Sequence, residues 1–259
     1  MSYLNRDHMV DAIATMQGFY RNLSSVYEDY GMDIESNRGR RNILMSAPME
    51  KFLADALNET CAWARNDGRT GRADIEIGLS AETEEVRELE CKLTSPHSNG
   101  AIVFQTDYET LQKKGSLDFV YLIANEDFSG FCAIYFEALT PDDFRSLSPG
   151  ARGKVQMYKH KGMKKATVLV GNAVSHKEKR IEKIQEKIYE ATTRATERLE
   201  HWDQKISALT DFQVYDKNTL EEKKDRAIAL MQDQVKNMNN KINAITNRND
   251  RYSFEFEEI

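Results

Sequence analysis

The sequence predicts an α/β (α+β) chain: a mixed central sheet flanked by helices, with a C-terminal antiparallel helical hairpin or coiled coil. Three observations carry this expectation. Residues 72–78 and 85–93 alternate in character with the two-residue period of half-buried strands. Residues 119–124 and 131–136 are continuous apolar runs, the mark of central strands covered on both faces. Beyond Ser175, apolar residues recur at three-and-four spacing through two highly charged stretches, the mark of long amphipathic helices.

Three segments are expected: a core over 1–172 with an N-terminal helix, a long helical hairpin over 173–250, and a strand over 251–259. The first helix spans about 6–30, with Met9, Ile13, Met16, Tyr20 and Leu23 on one stripe and Gly31 as its stop. The polar, basic run from Glu35 to Asn42 reads as a loop. A second helix is expected from about 47 to 65, with Pro48 in its first turn, where proline is tolerated, and Trp63 on its apolar stripe. Residues 101–105 form either a short strand or the lead into a helix, and 108–114 form a helix ending at Gly115. The segment 140–165 is punctuated by Pro and Gly and is expected to be loop, followed by a short strand at 168–170. In the hairpin, Ile181, Ile184, Ile188, Leu199 and Trp202 line one helix. Ile228, Met231, Val235, Met238, Ile242 and Ile245 follow nearly strict a/d spacing in the other. Thr219 and Glu222 fit the capping box that would start this second helix. Tyr252, Phe254 and Phe256 alternate with polar residues, as in a strand returning to a sheet.

Composition excludes several classes. No stretch approaches the apolar length of a membrane span, and the N-terminus lacks a signal-peptide run. Three widely spaced cysteines, Cys61, Cys91 and Cys132, form neither a disulfide framework nor zinc-ligand spacing, and read as small core residues of a reduced, cytoplasmic protein. The five histidines are scattered. There is no phosphate-binding glycine loop, no G-x-S-x-G and no H-E-x-x-H.

The chemistry concentrates in the hairpin of residues 72–93. Pairing its two arms brings Asp74 near Glu90 and Lys92, two carboxylates and an ammonium on one face. Mg²⁺ takes oxygen ligands, usually one or two carboxylates with water and substrate phosphate completing the octahedron. Asp74, Glu90 and the backbone carbonyl of Cys91 are the metal ligands expected, and Lys92 would orient or deprotonate the attacking water or stabilise charge on phosphorus. The alternative is a sheet face carrying ordinary surface charges.

An aspartate in a short strand, A-D-I-E-I, followed some fifteen residues later by E-L-E-C-K-L-T, resembles the PD-(D/E)xK nuclease superfamily, with Ala73 where that family has proline. The resemblance covers roughly residues 43–170 and, on length and layout, is most similar to type II restriction endonucleases. It implies a restriction-endonuclease-like core and a Mg²⁺-dependent endonuclease acting on double-stranded DNA as a homodimer. It also implies two additions to the catalytic set: a glutamate from the preceding helix, Glu50 in preference to Glu59, and a polar residue beside the site, Gln105.

A net charge of −6 argues against a nucleic-acid partner, but its distribution does not. Ten Lys or Arg face a single acid, Glu178, between Arg145 and Arg180. Smaller basic groups surround Arg41 and the pair Arg69 and Arg72. The expected DNA contacts are Arg41, Arg69, Arg72, Arg152, Lys154, Gln156, Tyr158, Lys159, His160, Lys161, Lys164 and Lys165, with Gly150, Gly153 and Gly162 allowing backbone to approach phosphate. Two other readings stay open: a repair, recombination or phage nuclease that reads DNA structure, and a non-catalytic coiled-coil interaction protein.

Overall fold

The computed structural model describes residues 2–69, 72–82, 85–147, 153–209, 214–247 and 250–259. They form two compact units, one of Met1–Ala173 with Tyr252–Ile259 and one of Val174–Arg251.

Helix α1 (Arg6–Asp29) starts at Asn5, whose side chain accepts from the His8 amide while His8 accepts from the Asn5 amide. It ends at Gly31, which takes the positive φ of +66° that glycine adopts without steric cost. Helix α2 (Arg38–Leu57) corrects the expected boundary. It begins at an Asn37 cap about nine residues early and carries Pro48 in its interior. The reason is a buried i, i+4 stripe of Arg41, Met45, Met49, Leu53 and Leu57, whose first member is a charged residue that hides the pattern. Pro48 leaves the Leu44 carbonyl without its intrahelical donor, and position 44 is on the exposed side, where water can replace it. Trp63 is not on this helix. It opens strand β1 (Trp63–Asn66), where its indole lies so close over Gly78 that a Cβ there would sit 2.2 Å from Nε1.

Strands β2 (Ile75–Gly78) and β3 (Val86–Thr94) form the expected hairpin, with Ile75 opposite Leu89 and Glu76 opposite Glu88. Next come β4 (Gln105–Asp107), α3 (Tyr108–Lys114), β5 (Leu117–Ala124) and β6 (Gly130–Leu139). Residues 101–104 are neither strand nor helix. The segment expected as loop holds β7 (Lys154–Gln156) and the single turn α4 (Lys159–Gly162), then β8 (Ala166–Val170). Gly162 is fixed by packing, since a Cβ there would meet the Met157 sulfur at 2.2 Å.

The main sheet is mixed: β1-β2-β3-β5-β6, with β3 and β5 parallel and the other neighbours antiparallel. The outer edge of β6 is shared by β8 and by β11 (Glu257–Glu258), which follows β10 (Tyr252–Glu255). The chain's last residues therefore return to this sheet. All eight residues of β5 are buried, because side chains of alternate parity enter two cores. Val120 and Leu122 join Met9, Ile13, Met16, Met49 and Leu53 of α1 and α2. Phe119, Tyr121 and Ile123 join Phe104, Leu111, Phe136, Phe144 and Met157 on the opposite face.

Strand β9 (Asn172–Ser175) leads into α5 (His176–Ser207) of the second unit, capped by Ser175 Oγ on the Glu178 amide. Its partner α6 (Val214–Thr246) starts five residues before Thr219, so Thr219 and Glu222 lie inside the helix and do not cap it. No residue of α5 is buried. Among the described residues, no helix is long and apolar enough to cross a membrane.

Candidate active site

The site is built where β2 leaves β3. Their ladder ends at Ile75 opposite Leu89, one step short of Glu90. Had it continued, the Cys91 amide would bond to backbone. Instead it donates to the Asp74 carboxylate, 2.7 Å away, so a side chain replaces the missing strand and is fixed by doing so. On its other edge β3 is held by β5, with Glu90 opposite Phe119 and Lys92 opposite Tyr121. Lys92 Nζ donates to Glu90 Oε1 at 2.5 Å and reaches Asp74 Oδ2 at 3.4 Å. Glu50 arrives from α2. Asn66 ties it to the same corner, donating through Nδ2 to Glu50 Oε2 at 3.1 Å and to the Asp74 carbonyl at 2.9 Å.

Three carboxylates and one ammonium thus share a partly desolvated corner, and their proton affinities respond. Burial pushes the Glu50 carboxyl up to about 7, Asp74 adds to the rise, and the Asn66 hydrogen bond opposes it. Burial raises Glu90 as well, opposed by Lys92 and reinforced by Asp74. Burial works against the Lys92 ammonium, yet Glu90 and Asp74 outweigh it and lift its pKa above the ordinary lysine value. As placed, Lys92 is a cation, suited to stabilising negative charge more than to taking a proton.

Two concavities meet at Glu90. One, of about 390 Å³, is lined by Glu50, Asp74, Glu90, Arg69, Arg72 and Thr110 among others. The second, of about 280 Å³, is lined by Glu90 and Lys92 of β3, Gln105 and Asp107 of β4 and Lys154 of β7 among others. The structure therefore brings together Asp74, Glu90, Lys92 and Glu50, with Gln105 lining the second cleft. Glu59 lies elsewhere, on the turn after α2 near His8.

The donor set suits a hard divalent ion. It consists of carboxylates and backbone oxygen, with more negative charge than Lys92 neutralises. Among the described residues, no three His, Cys, Asp or Glu side chains stand together at metal-ligand spacing. The Lys92 ammonium bonds to both Asp74 and Glu90. Cys91 contributes backbone only, since its thiol is buried and held protonated by burial.

The expected basic contacts divide. Arg69 and Arg72 border the larger cleft, each also paired with a neighbouring acid, Asp67 and Glu76 respectively. Lys154 and Gln156 lie on β7, Lys154 lining the smaller cleft. Arg41 is a correction. It is completely buried, donates to the carbonyls of Asn125 and Glu126, and lies over the Phe128 ring, so it presents no surface to a phosphate. Lys159 is half-buried over the rings of Phe104 and Phe254, which lowers its pKa through burial. Lys165 is bound to Asp143 and the Ala138 carbonyl, and Lys161 to the Asp142 carbonyl. Tyr158 and His160 pack with ring centres 5.7 Å apart, and Lys164 is exposed. Arg152 and Gly150 lie outside the described residues. Sequence reasoning missed Asn66, which links Glu50 to Asp74. A lone asparagine in W-A-R-N carries no signal of that role.

Compared with protein-family models, curated proteins and solved structures, the chain shows no match.

Proposed function

We propose that the chain is a Mg²⁺-dependent endonuclease of the PD-(D/E)xK kind, hydrolysing phosphodiester bonds in double-stranded DNA. The observation that carries this reading is the convergence of Asp74, Glu90 and Lys92, with Glu50 behind them, at the meeting of two polar clefts. Asp74, Glu90 and the Cys91 carbonyl would hold Mg²⁺, with Glu50 as an outer ligand. When bound, the ion polarises the phosphoryl oxygen and acidifies a coordinated water. The chain's own groups do the rest. Lys92 neutralises charge building on phosphorus as the water oxygen bonds to it and the bond to the 3′-oxygen breaks, giving a 5′-phosphate and a 3′-hydroxyl. Gln105 lines the smaller cleft together with Glu90 and Lys92. Arg69, Arg72 and Lys154 supply the sequence-independent attraction for the backbone.

A type II restriction enzyme with a restriction-endonuclease-like core is the specific form of this reading. Such an enzyme cuts both strands of a two-fold site, which calls for a second copy of the chain. Leu199 and Trp202 of α5 are only half-buried and line an apolar groove with Ile228 and Met231 of α6, which supports a second copy as its occupant. The reduced cysteines support a cytoplasmic setting.

The test is incubation with unmethylated phage genomic DNA and Mg²⁺, beside Lys92→Ala protein and an EDTA control. Discrete fragments that vanish in both controls are expected. Fragments that persist with Lys92→Ala would remove this corner from the chemistry, and smeared products would point to a nuclease that reads structure.

A further inference from the structure

Strands β4 and β7 form a two-stranded antiparallel ribbon of their own, apart from the main sheet. Its register sets Gln105 opposite Gln156, Thr106 opposite Val155 and Asp107 opposite Lys154. Cross-strand partners share a face, so the ribbon has two distinct sides. Thr106 and Val155 are each only 4% exposed and anchor the inner side, beside Phe104 and Met157. Gln105, Gln156, Asp107 and Lys154 make up the outer side. Asp107 is already engaged, capping α3 through the Thr110 amide. Neither glutamine amide bonds to another described residue through its side chain.

The ribbon is also tied to the candidate catalytic centre. The Tyr121 hydroxyl donates to the Gln105 carbonyl at 2.9 Å, and Tyr121 is the residue opposite Lys92 in the β3–β5 ladder. Met157 holds the far strand by donating to the Phe104 carbonyl. Gln105 and Lys154 line the same cleft as Glu90 and Lys92. A ribbon whose strands lie about 4.8 Å apart enters a major groove about 12 Å wide. An amide offers one donor and one acceptor side by side, the pair that matches the adenine N6 and N7 edge.

From these placements we infer that the outer face of this ribbon reads bases in the major groove, with Gln105 and Gln156 recognising adenine next to the cut phosphate. Lys154 holds the adjoining backbone. The inference rests on the endonuclease reading and adds to it which residues determine the sequence cut.

The experiment uses a duplex library with a randomised central region, cut by the full-length protein in Mg²⁺, with the ends of the products sequenced. Wild-type, Gln156→Ala, Gln156→Glu, Gln105→Ala and Lys92→Ala proteins are compared. The wild-type is expected to favour adenine at fixed positions near its cuts. Gln156→Ala should lose about 5- to 150-fold of that preference at one position, the discrimination a bidentate base contact provides. Gln156→Glu should move that position toward cytosine, whose N4 amino group a carboxylate accepts. The ratio between bases is read, so a change in total rate does not mimic the effect. Lys92-dependent cleavage with no base preference, or with one unchanged in all glutamine variants, overturns the ribbon inference and leaves the endonuclease reading intact. Absence of Lys92-dependent cleavage overturns both.

Discussion

Strand β5 and helix α5 have equally regular apolar patterns and end in opposite surroundings. Every residue of β5 is buried, and no residue of α5 is. β5 lies between β3 and β6, with α1 and α2 against one face and the Phe104–Met157 group against the other. Among the described residues of its own unit α5 packs against α6, and the two helices leave between them a groove of about 560 Å³ lined by Ala195, Leu199, Trp202, Ile228, Met231 and Met238 among others. Periodicity specifies which face of an element is apolar. How much of that face is covered depends on how many neighbours the fold supplies.

The largest effect that tests this contrast comes from the buried sheet. Phe119 is 0% exposed, and Phe119→Ala removes its ring from a close-packed cluster. A loss of about 3–5 kcal/mol is expected from urea unfolding, the usual cost of emptying such a site. A loss under about 1 kcal/mol would mean that this face of the sheet is loosely packed, and the contrast with α5 would collapse.

Arg41 comes next. Its guanidinium serves two carbonyls at the β5–β6 turn, and its Nε has no hydrogen-bond partner. Arg41→Met should cost about 2–3 kcal/mol, because the abandoned carbonyls lose a charged donor in a buried place. Were Arg41 a phosphate contact, as its basic neighbourhood in the sequence suggests, the variant would keep its stability and lose DNA affinity instead.

That residue also marks where the sequence stops being legible. The β2–β3 hairpin and the long helices follow from periods of two and of three-and-four, and the sheet's central strands from continuous apolar runs. Asp74, Glu90 and Lys92 converge because the hairpin brings Asp74 to the end of its ladder beside Glu90, where the Cys91 amide holds its carboxylate. The start of α2 was hidden because a buried arginine occupies an apolar position of its stripe. The start of α6 was misplaced because a Thr219–Glu222 pair resembles a cap wherever it falls. Charge counts in the basic segment also do not reveal that Lys161 and Lys165 bind oxygens of Asp142, Ala138 and Asp143, or that Lys159 covers aromatic rings. The β4–β7 ribbon was invisible for another reason: three-residue strands are too short to show a period, and long-range pairing defines them.

A smaller effect is expected in the helical unit. Ile188 is half-buried at the seam, so Ile188→Ala should cost about 1 kcal/mol in dilute protein, well below the Phe119 change. The same substitution should cost more as protein concentration rises, because a second copy covering the seam adds burial by mass action. A concentration-independent cost, with the chain monomeric in sedimentation, would leave the hairpin without that partner.

The last effect is read as a slope against pH and probes the crowded corner. Glu50 has a folded pKa of about 7 against an ordinary 4.5, so between those values the native protein keeps a proton that the unfolded chain has released. The stability tied to that proton is fully present below about pH 4.5 and declines as pH rises toward 7. Without divalent ions, the wild-type urea midpoint should therefore fall from pH 5 to 7 relative to that of Glu50→Gln, which has no proton to lose. Saturating Mg²⁺ or Ca²⁺ should reverse the slope in the wild-type, because a cation bound among Asp74, Glu90 and Glu50 favours the ionised carboxyl and gains affinity as the proton leaves. Parallel curves without metal would mean that burial in this corner does not raise the Glu50 carboxyl. A slope that appears without metal and does not reverse with it would keep the electrostatic corner but separate Glu50 from the cation, leaving Asp74 and Glu90 as the only carboxylate ligands.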